Sequence, residues 1–550
     1  PFIPDNAWDA IDERRQQFGA VVGGPISRDK VFFFGSYDQQ VRSFPPFVRP
    51  SQTTFYNTCT ASAANCAATT AYYKAFEVTS PREANNKVSL IKVDWAASPA
   101  NNFTFSYNGQ RWDSPNGINT QAVLFLAEEY NGSDVVKTDF AVANWNSIIS
   151  QRWLNEFRLQ IGRDYESQTP NGVGPATTAT GGINFGMPNF LPRQKYPFEQ
   201  RYQFLDSVTF YSGAHTIKSG FDVNFVKEEL QNLFQGGGVY SYSGLSTISL
   251  DCPARATGCT PGGGRNYTSF NQAFDQNGLG GALAFSSATY AVYVQDMWRL
   301  SDRMLVNLGL RYDYQQLPQP GNVETDGVSF VGNPALPLTT AFNKDKKNWA
   351  PRLGVTYDLG ARHDTVLRAS YGIFYGLTSN SAVSNALLNN GVNLVTYSFT
   401  PTTAGAPIYP AVLAAPPVGA TGTRPDISYF AEDLVRPRVH STDVAVERRI
   451  SSDITVTVSY LNSRGRNLPY FRDVNFGAAN STVNYVLEGG GVLGSFPLYR
   501  GTRPNANFAR TTVMESTVST DYNALVLEAR KRFAGFAQLW QCLPCAGPRP

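Results

Sequence analysis

The 550-residue chain has no apolar run near the ~18 residues that a membrane helix requires, so no helical span is expected. Charge is also scarce: Asp, Glu, Lys and Arg make up 16% of the chain, against about a quarter of an ordinary soluble domain. The formal net charge of +3 is small and scattered, which argues against nucleic acid as a partner. Histidine is limited to His215, His363 and His440, and no H-E-x-x-H, G-x-x-x-x-G-K-[ST] or nucleophile elbow occurs. The pairs Glu128-Glu129 and Glu228-Glu229 lie in or beside loops, where solvation is expected. Gly236–Gly238 and Gly262–Gly264 precede no helical pattern and cradle no phosphate. Neither an enzyme, a cofactor nor a metal site is expected. The chain opens at Pro1 without Met, a basic n-region or an apolar h-region, and is expected to be a fragment of an exported protein.

Aromatics, by contrast, are abundant: 36 Phe, 28 Tyr and 8 Trp, or 13% of the chain. Mean hydropathy is only −0.26, yet a transmembrane strand shows lipid only half of its side chains and keeps such an average low. Residues 304–314 alternate strictly. Val306, Leu308, Leu310, Tyr312 and Tyr314 fall on one face, and Asn307, Gly309, Arg311 and Asp313 on the other. A four-residue turn joins them to 289–299. The unit recurs at 16–26/31–40, 88–95/103–112, 135–146/154–165, 201–211/216–226, 353–359/366–375 and 442–450/454–460. The turn of the 353–375 unit falls at 360–363. With a last unpartnered stretch near 520–533, about fifteen strands are expected.

Within each hairpin the turn is short. Between hairpins, as at 41–87, 166–200, 229–288, 376–438 and 464–519, the connections are long and carry no pattern of regular structure. This alternation puts all short turns at one end of the strands and all long loops at the other. It predicts an all-β, transmembrane antiparallel β-barrel with short periplasmic turns and long extracellular loops. Trp95, Trp112, Trp145, Trp153, Trp298, Trp349 and Tyr375 stand at strand ends, as interfacial girdles would. A charge facing lipid costs a few kcal/mol near mid-bilayer. Lys92, Asp94, Arg158, Lys218, Asp222, Arg311, Asp313, Arg368 and Glu447 are therefore expected to face the lumen, most of them paired with one another. Cys59 with Cys66, and Cys252 with Cys259, fall inside long loops, and an oxidising exterior predicts two local disulfides. The lone C-x-x-C of Cys542 and Cys545 has no second pair or His to complete a zinc site.

Four stretches carry a family resemblance. They are 18–38 (F-G-A-V-V-G-G-P-I-S-R-D-K-V-F-F-F-G-S-Y-D), 290–314 (Y-A-V-Y-V-Q-D-M-W-R-L-S-D-R-M-L-V-N-L-G-L-R-Y-D-Y), 349–357 (W-A-P-R-L-G-V-T-Y) and 521–533 (D-Y-N-A-L-V-L-E-A-R-K-R-F). They resemble the barrels of Oar-like TonB-dependent outer-membrane transporters. The resemblance implies a 22-stranded barrel in the outer membrane of a Gram-negative bacterium, an N-terminal plug, and energy delivered by the TonB complex. A carboxypeptidase-regulatory-like domain precedes the plug in such proteins. On this reading residues 1–534 are a partial barrel, with plug and regulatory-like domain absent from this text. Residues 535–550, with three prolines, are an aberrant tail that breaks the alternation, as a truncated or frame-shifted gene would. The expected partners are outer-membrane lipid, the TonB complex and an extracellular ligand whose chemistry stays open. Loops 229–288 and 376–438 are the best candidates for holding it. A passive porin, or a surface adhesin binding through its loops, is the alternative.

Overall fold

The computed structural model describes residues 13–118, 124–253, 256–360, 364–416, 425–487, 489–499, 501, 503–532 and the backbone of 538–546. Sixteen long strands form eight consecutive hairpins: β1 (Arg14–Ser27) with β2 (Val31–Ser43), β3 (Glu83–Ser98) with β4 (Asn101–Ser114), β5 (Gly132–Ser150) with β6 (Trp153–Pro170) and β7 (Phe198–Ser212) with β8 (His215–Gln231). There follow β9 (Ala282–Ser301) with β10 (Met304–Gln316), β11 (Trp349–Leu359) with β12 (Thr365–Tyr375), β13 (Arg438–Arg449) with β14 (Ile454–Asp473) and β15 (Thr511–Arg532) with β16 (Gln538–Ala546). Each strand pairs antiparallel with the next along the chain, giving one meander. A seventeenth strand of this sheet, Ile427–Phe430, lies parallel to the start of β15. Among the described residues the sheet does not close, and β1 and β16 are the edges of the meander.

All seven hairpins expected from the alternation are present. The strands run further at their loop ends than the alternation shows, β9 and β14 for 20 residues each. The tight turns need special backbone. Gly213, between β7 and β8, sits at φ 57°, and a Cβ there would meet nothing within 4 Å. The left-handed conformation alone therefore calls for glycine. The turn expected at 360–363 lies, apart from Gly360, outside the described residues.

One expectation is extended and another corrected. About fifteen strands are expected and the meander holds sixteen, because 538–546, within the stretch expected to break the alternation, pairs with β15 from Ala524↔Ala546 to Arg532↔Gln538. A proline is tolerated in an edge strand, where its missing N–H costs no ladder bond, and Pro544 lies opposite Val526 in such a strand. The long connections are also not patternless. Three of them meet in a second, four-stranded sheet: Leu394–Phe399 from one, Ser269–Asp275 and Val239–Tyr242 from another and Ala176–Ala179 from a third, the last pair parallel. Three helices accompany it: α1 (Ala63–Lys74), α2 (Leu245–Asp251) and α3 (Asn380–Leu388). Ser62 caps α1 and Ser379 caps α3, each side chain accepting a backbone N–H of the first turn. The buried apolar cores lie in these loops. One gathers Phe55, Tyr73, Phe185, Tyr240, Ile248 and Phe270, another Leu283, Phe330, Phe342, Val383, Leu387 and Phe430.

The meander itself has no core of its own. One face is a continuous band of exposed apolar side chains. On β9 and β10 it shows Val292, Leu308 and Leu310, exposed by 57%, 45% and 42%. On β13, β14 and β15 it shows Val446, Val458 and Leu527 in one cross-strand row. Apolar area of this extent is stable only against lipid. The register predicts opposite responses on the two faces. Leu527→Arg is expected to cost about 2–4 kcal/mol, the range for a cation at mid-bilayer. Thr457 lies across from Glu447 on one side and Glu528 on the other, and Thr457→Arg is expected to cost under about 1 kcal/mol. Urea unfolding in lipid vesicles measures both, and equal losses would show that the faces are wrongly assigned.

Candidate functional site

The ladder registers place all nine of the expected lumen charges on the polar face. Asp94↔Thr104, Thr104↔Asn144 and Asn144↔Arg158 run along one row. Arg158↔Leu205, Leu205↔Asp222, Asp222↔Ala291 and Ala291↔Asp313 continue it. Lys218 and Arg311 project from neighbouring rows of the same face, as do Lys92, Arg368 and Glu447 on their own strands.

Most of these charges pair among themselves. Lys92 Nζ is 2.9 Å from Asp94. Arg311 meets Asp313 at 3.0 Å and Asp222 at 3.6 Å. Arg368 meets Glu447 at 3.4 Å. Arg158 donates to Asn144 at 2.7 Å. Lys218 pairs with Glu156, a residue the pattern did not single out although it shares the polar parity of Arg158. The Arg111–Asp139 pair, 2.6 Å, was likewise not singled out. Both residues stand on the parity of Phe105 and Tyr107, toward the loop end of their strands, so alternation gives no signal for a charge pair there. At the turn end of the polar face a cavity of about 670 Å³ is lined by Arg368, Asp443, Glu447, Arg449, Glu528 and Arg530.

The apolar face ends in aromatics at both rims. At the turn end Trp95, Phe103 and Trp145 stack at 5.3 and 5.9 Å, Trp153 packs on Phe210 at 4.4 Å, and Trp298 stacks on His215. At the loop end Tyr290 stacks on Tyr314, and Tyr312 packs on Trp349 at 4.8 Å. Trp112 departs from this: it pairs across from Asn86, on the polar parity, and hydrogen-bonds Asp134.

The two candidate ligand regions come together. Leu394–Phe399, from 376–438, is paired with Ser269–Asp275, from 229–288. Tyrosine hydroxyls stitch these loops: Tyr240 donates to the Ala411 carbonyl at 2.5 Å and Tyr267 to that of Pro407 at 2.8 Å. Tyr242 donates to buried Asp251 at 3.0 Å. Asp251 also accepts from the Asn266 backbone and side-chain N–H groups, 2.7 and 2.6 Å. Burial and the nearby Asp251 push the Tyr240 and Tyr242 hydroxyls far above their ordinary range, and burial pushes Tyr267 up to about 12.

Cys59 and Cys66 are disulfide-bonded, as are Cys252 and Cys259. The two small loops dock on one another. Asn65 donates to the Thr260 carbonyl at 2.9 Å and accepts the Thr260 N–H at 3.0 Å. Ser249 lies between them, its hydroxyl 3.5 Å from Cys59 Sγ and its carbonyl 3.7 Å from Cys252 Sγ. Glu228, expected to be solvated, is buried and hydrogen-bonded to Asn380 at the start of α3, because α3 folds down over the loop end of β8. No group of three or more His, Cys, Asp or Glu able to hold a metal occurs among the described residues. The side chains of Cys542 and Cys545 lie outside the described residues.

The comparisons with known proteins agree with this geometry. The family model of the outer membrane beta barrel domain matches residues 47–539. The chain belongs to that family and is an outer-membrane β-barrel protein of a Gram-negative bacterium. It is 26% identical over 202 residues to the TonB-dependent transporter Oar of Myxococcus xanthus, covering 35% of this chain and 16% of that protein. Its fold is similar to the outer membrane transporter YddB from Escherichia coli, with a TM-score of 0.55 at 9% identity over 94% of this chain and 52% of that one. It is also similar to the siderophore receptor PirA from Acinetobacter baumannii, with a TM-score of 0.52 at 11% identity over 97% and 59%. The chain thus spans little more than half the length of these solved relatives, and the barrel it resembles is that of TonB-dependent receptors.

Two outcomes follow for the loop cap. Replacing Cys59 and Cys66 by Ser frees a loop of about eight residues and is expected to cost about 2–3 kcal/mol. Limited proteolysis is expected to cut the cap faster while the strands keep their heat-modifiable mobility. A cap as resistant as the wild type would show that the disulfide does not hold it. Second, a tyrosine whose folded pKa is raised stabilises the fold below its ordinary value of 10.0 and loses that contribution as pH climbs toward about 12. Cap protection is therefore expected to be flat to about pH 10 and to fall above it, together with rising tyrosinate absorbance.

Proposed function

We propose that this chain supplies the barrel of a TonB-dependent transport receptor, which admits an extracellular ligand too large for general porins. The identity with a TonB-dependent transporter over 202 residues carries this reading. The folded cap supports it. A sieve needs only a wide opening, whereas a receptor needs loops ordered before the ligand arrives, since ordering them on binding would subtract from affinity. Here three loops share one sheet, and two more join them in one buried aromatic core. The polar face lines the lumen in this reading, and its paired charges let the wall stay polar without holding a strong net field. Residues 229–288 and 376–438 form the ligand-facing part of the cap.

Uptake energetics test the proposal. Cells carrying the full gene and a deletion strain are compared for growth on ferric siderophores, oligosaccharides or peptides as limiting nutrient, with and without a protonophore. A growth advantage lost with the protonophore, or on deletion of tonB, is expected. An advantage that persists without the proton gradient would make the protein a passive porin. Ligand binding at the surface without any uptake would make it an adhesin.

A further inference from the structure

A group of basic residues stands where the outer, apolar face meets the loop end of the barrel. In the ladder between β13 and β14, Arg438 lies directly across from Arg466, and His440 directly across from Arg464. All four share the parity of Val444, Val446 and Val458, so they project from the lipid-facing side just above the apolar band. Arg438 is also directly across from Tyr375, whose hydroxyl reaches the carbonyl of the girdle residue Trp349 at 3.4 Å. The group is therefore level with the aromatic rim, at the depth of lipid headgroups.

Like charges directly opposed across a ladder are destabilising, and Arg438 opposes Arg466 in this way, with Arg464 on the next pair of the same face. The counter-charge within the group is Asp521, 3.6 Å from Arg464 and 3.0 Å from Arg466. Arg466 spends its other contacts on the Gly465 and Thr520 carbonyls. His440 is held by the Tyr371 hydroxyl at 2.8 Å. Arg438 has no such partner: its Nε is buried without a hydrogen bond. A buried guanidinium nitrogen left without an acceptor carries a desolvation cost, and an anion bridging the outer ends of Arg438 and Arg464 would supply the counter-charge that the Arg438 guanidinium lacks. Position selects the anion. A site on the lipid-facing flank, at headgroup depth, is reached most directly by a molecule already in the leaflet.

We propose that Arg438, Arg464, Arg466 and His440 bind the phosphorylated headgroup of an outer-leaflet lipid, through charge-assisted hydrogen bonds of guanidinium to phosphate. The site is separate from the transport path, because it faces away from the polar wall.

The full-length protein, purified from outer membranes, is placed in phosphatidylcholine nanodiscs and titrated with bis-phosphorylated lipid A, with dephosphorylated lipid A, and with inorganic phosphate. Phosphorylated lipid A is expected to bind at least about tenfold more tightly than its dephosphorylated form. The R438Q/R464Q/R466Q variant is expected to lose roughly a hundredfold, at the worth of basic side chains near a charged membrane surface. Arg152→Gln, at the opposite end of the strands, is expected to change nothing. Equal binding of the two lipid A forms would overturn the proposal, as would undiminished binding by the triple variant. Full competition by inorganic phosphate would make this a free-anion site and overturn the lipid assignment. If the triple variant loses its heat-modifiable mobility, the comparison of the two lipid A forms on the native protein still decides.

Discussion

A backbone in hydrocarbon must find every hydrogen-bond partner within the protein, and the rest of this structure follows from that requirement. It makes each strand depend on its neighbours and turns sixteen separate segments into one ladder. It also fixes parity. With a side-chain period of two, a slip of one residue would exchange the two faces along a whole strand. In the row from Asp94 to Asp313, charged, amide and small residues follow one another through seven consecutive cross-strand pairs, with Leu205 the one large apolar member. The neighbouring row of opposite parity carries Val93, Phe105, Ala143, Leu159, Phe204, Val223 and Tyr290. Such separation over seven strands is the sequence's answer to two solvents at once.

The polar face then has its own problem, because a wall of unpaired charge would repel itself. The pairing of Arg311 shows how it is met. Asp222 and Asp313 stand in one row with Ala291 between them. The small side chain of Ala291 leaves the space over which Arg311 reaches both carboxylates. These groups are partly solvated, so their pairing is worth little in stability. What it fixes is the direction of long side chains along the wall.

Much of this was legible in the sequence because the signal is periodic and local. Seven hairpins and the common face of nine charges follow from counting alternate residues. What was not legible is non-periodic. The β16 segment carries Pro544, which is compatible with a strand only because that strand is an edge, and edge position is a property of the whole sheet. Glu228 is buried by α3, which starts some 150 residues further along. The cap sheet pairs 176–179 with 239–242 and 269–275 with 394–399, and strands of four to seven residues leave too few alternations to show. The cysteine pairs were legible from spacing, but their docking through Asn65 and Thr260 joins segments 195 residues apart.

The cap also explains where the apolar residues of the loops went. A soluble domain hides its aromatics beneath its strands, but here the strands already give their apolar face to lipid and their polar face to the interior. Phe, Tyr and Leu in the connections can be buried only against one another. Loops that must remain ordered above a membrane therefore need a core of their own, and this one is built from Tyr73, Tyr240, Tyr267 and Phe270. At Tyr240 and Tyr267 the ring fills the core while the hydroxyl satisfies a loop carbonyl, of Ala411 and Pro407 respectively. Two disulfides then fasten the segment around α1 and the segment after α2, where the core thins toward solvent. The cap is thus a small domain assembled from pieces of several loops, seated on the strands where Leu283 joins the second core and Glu228 holds the start of α3.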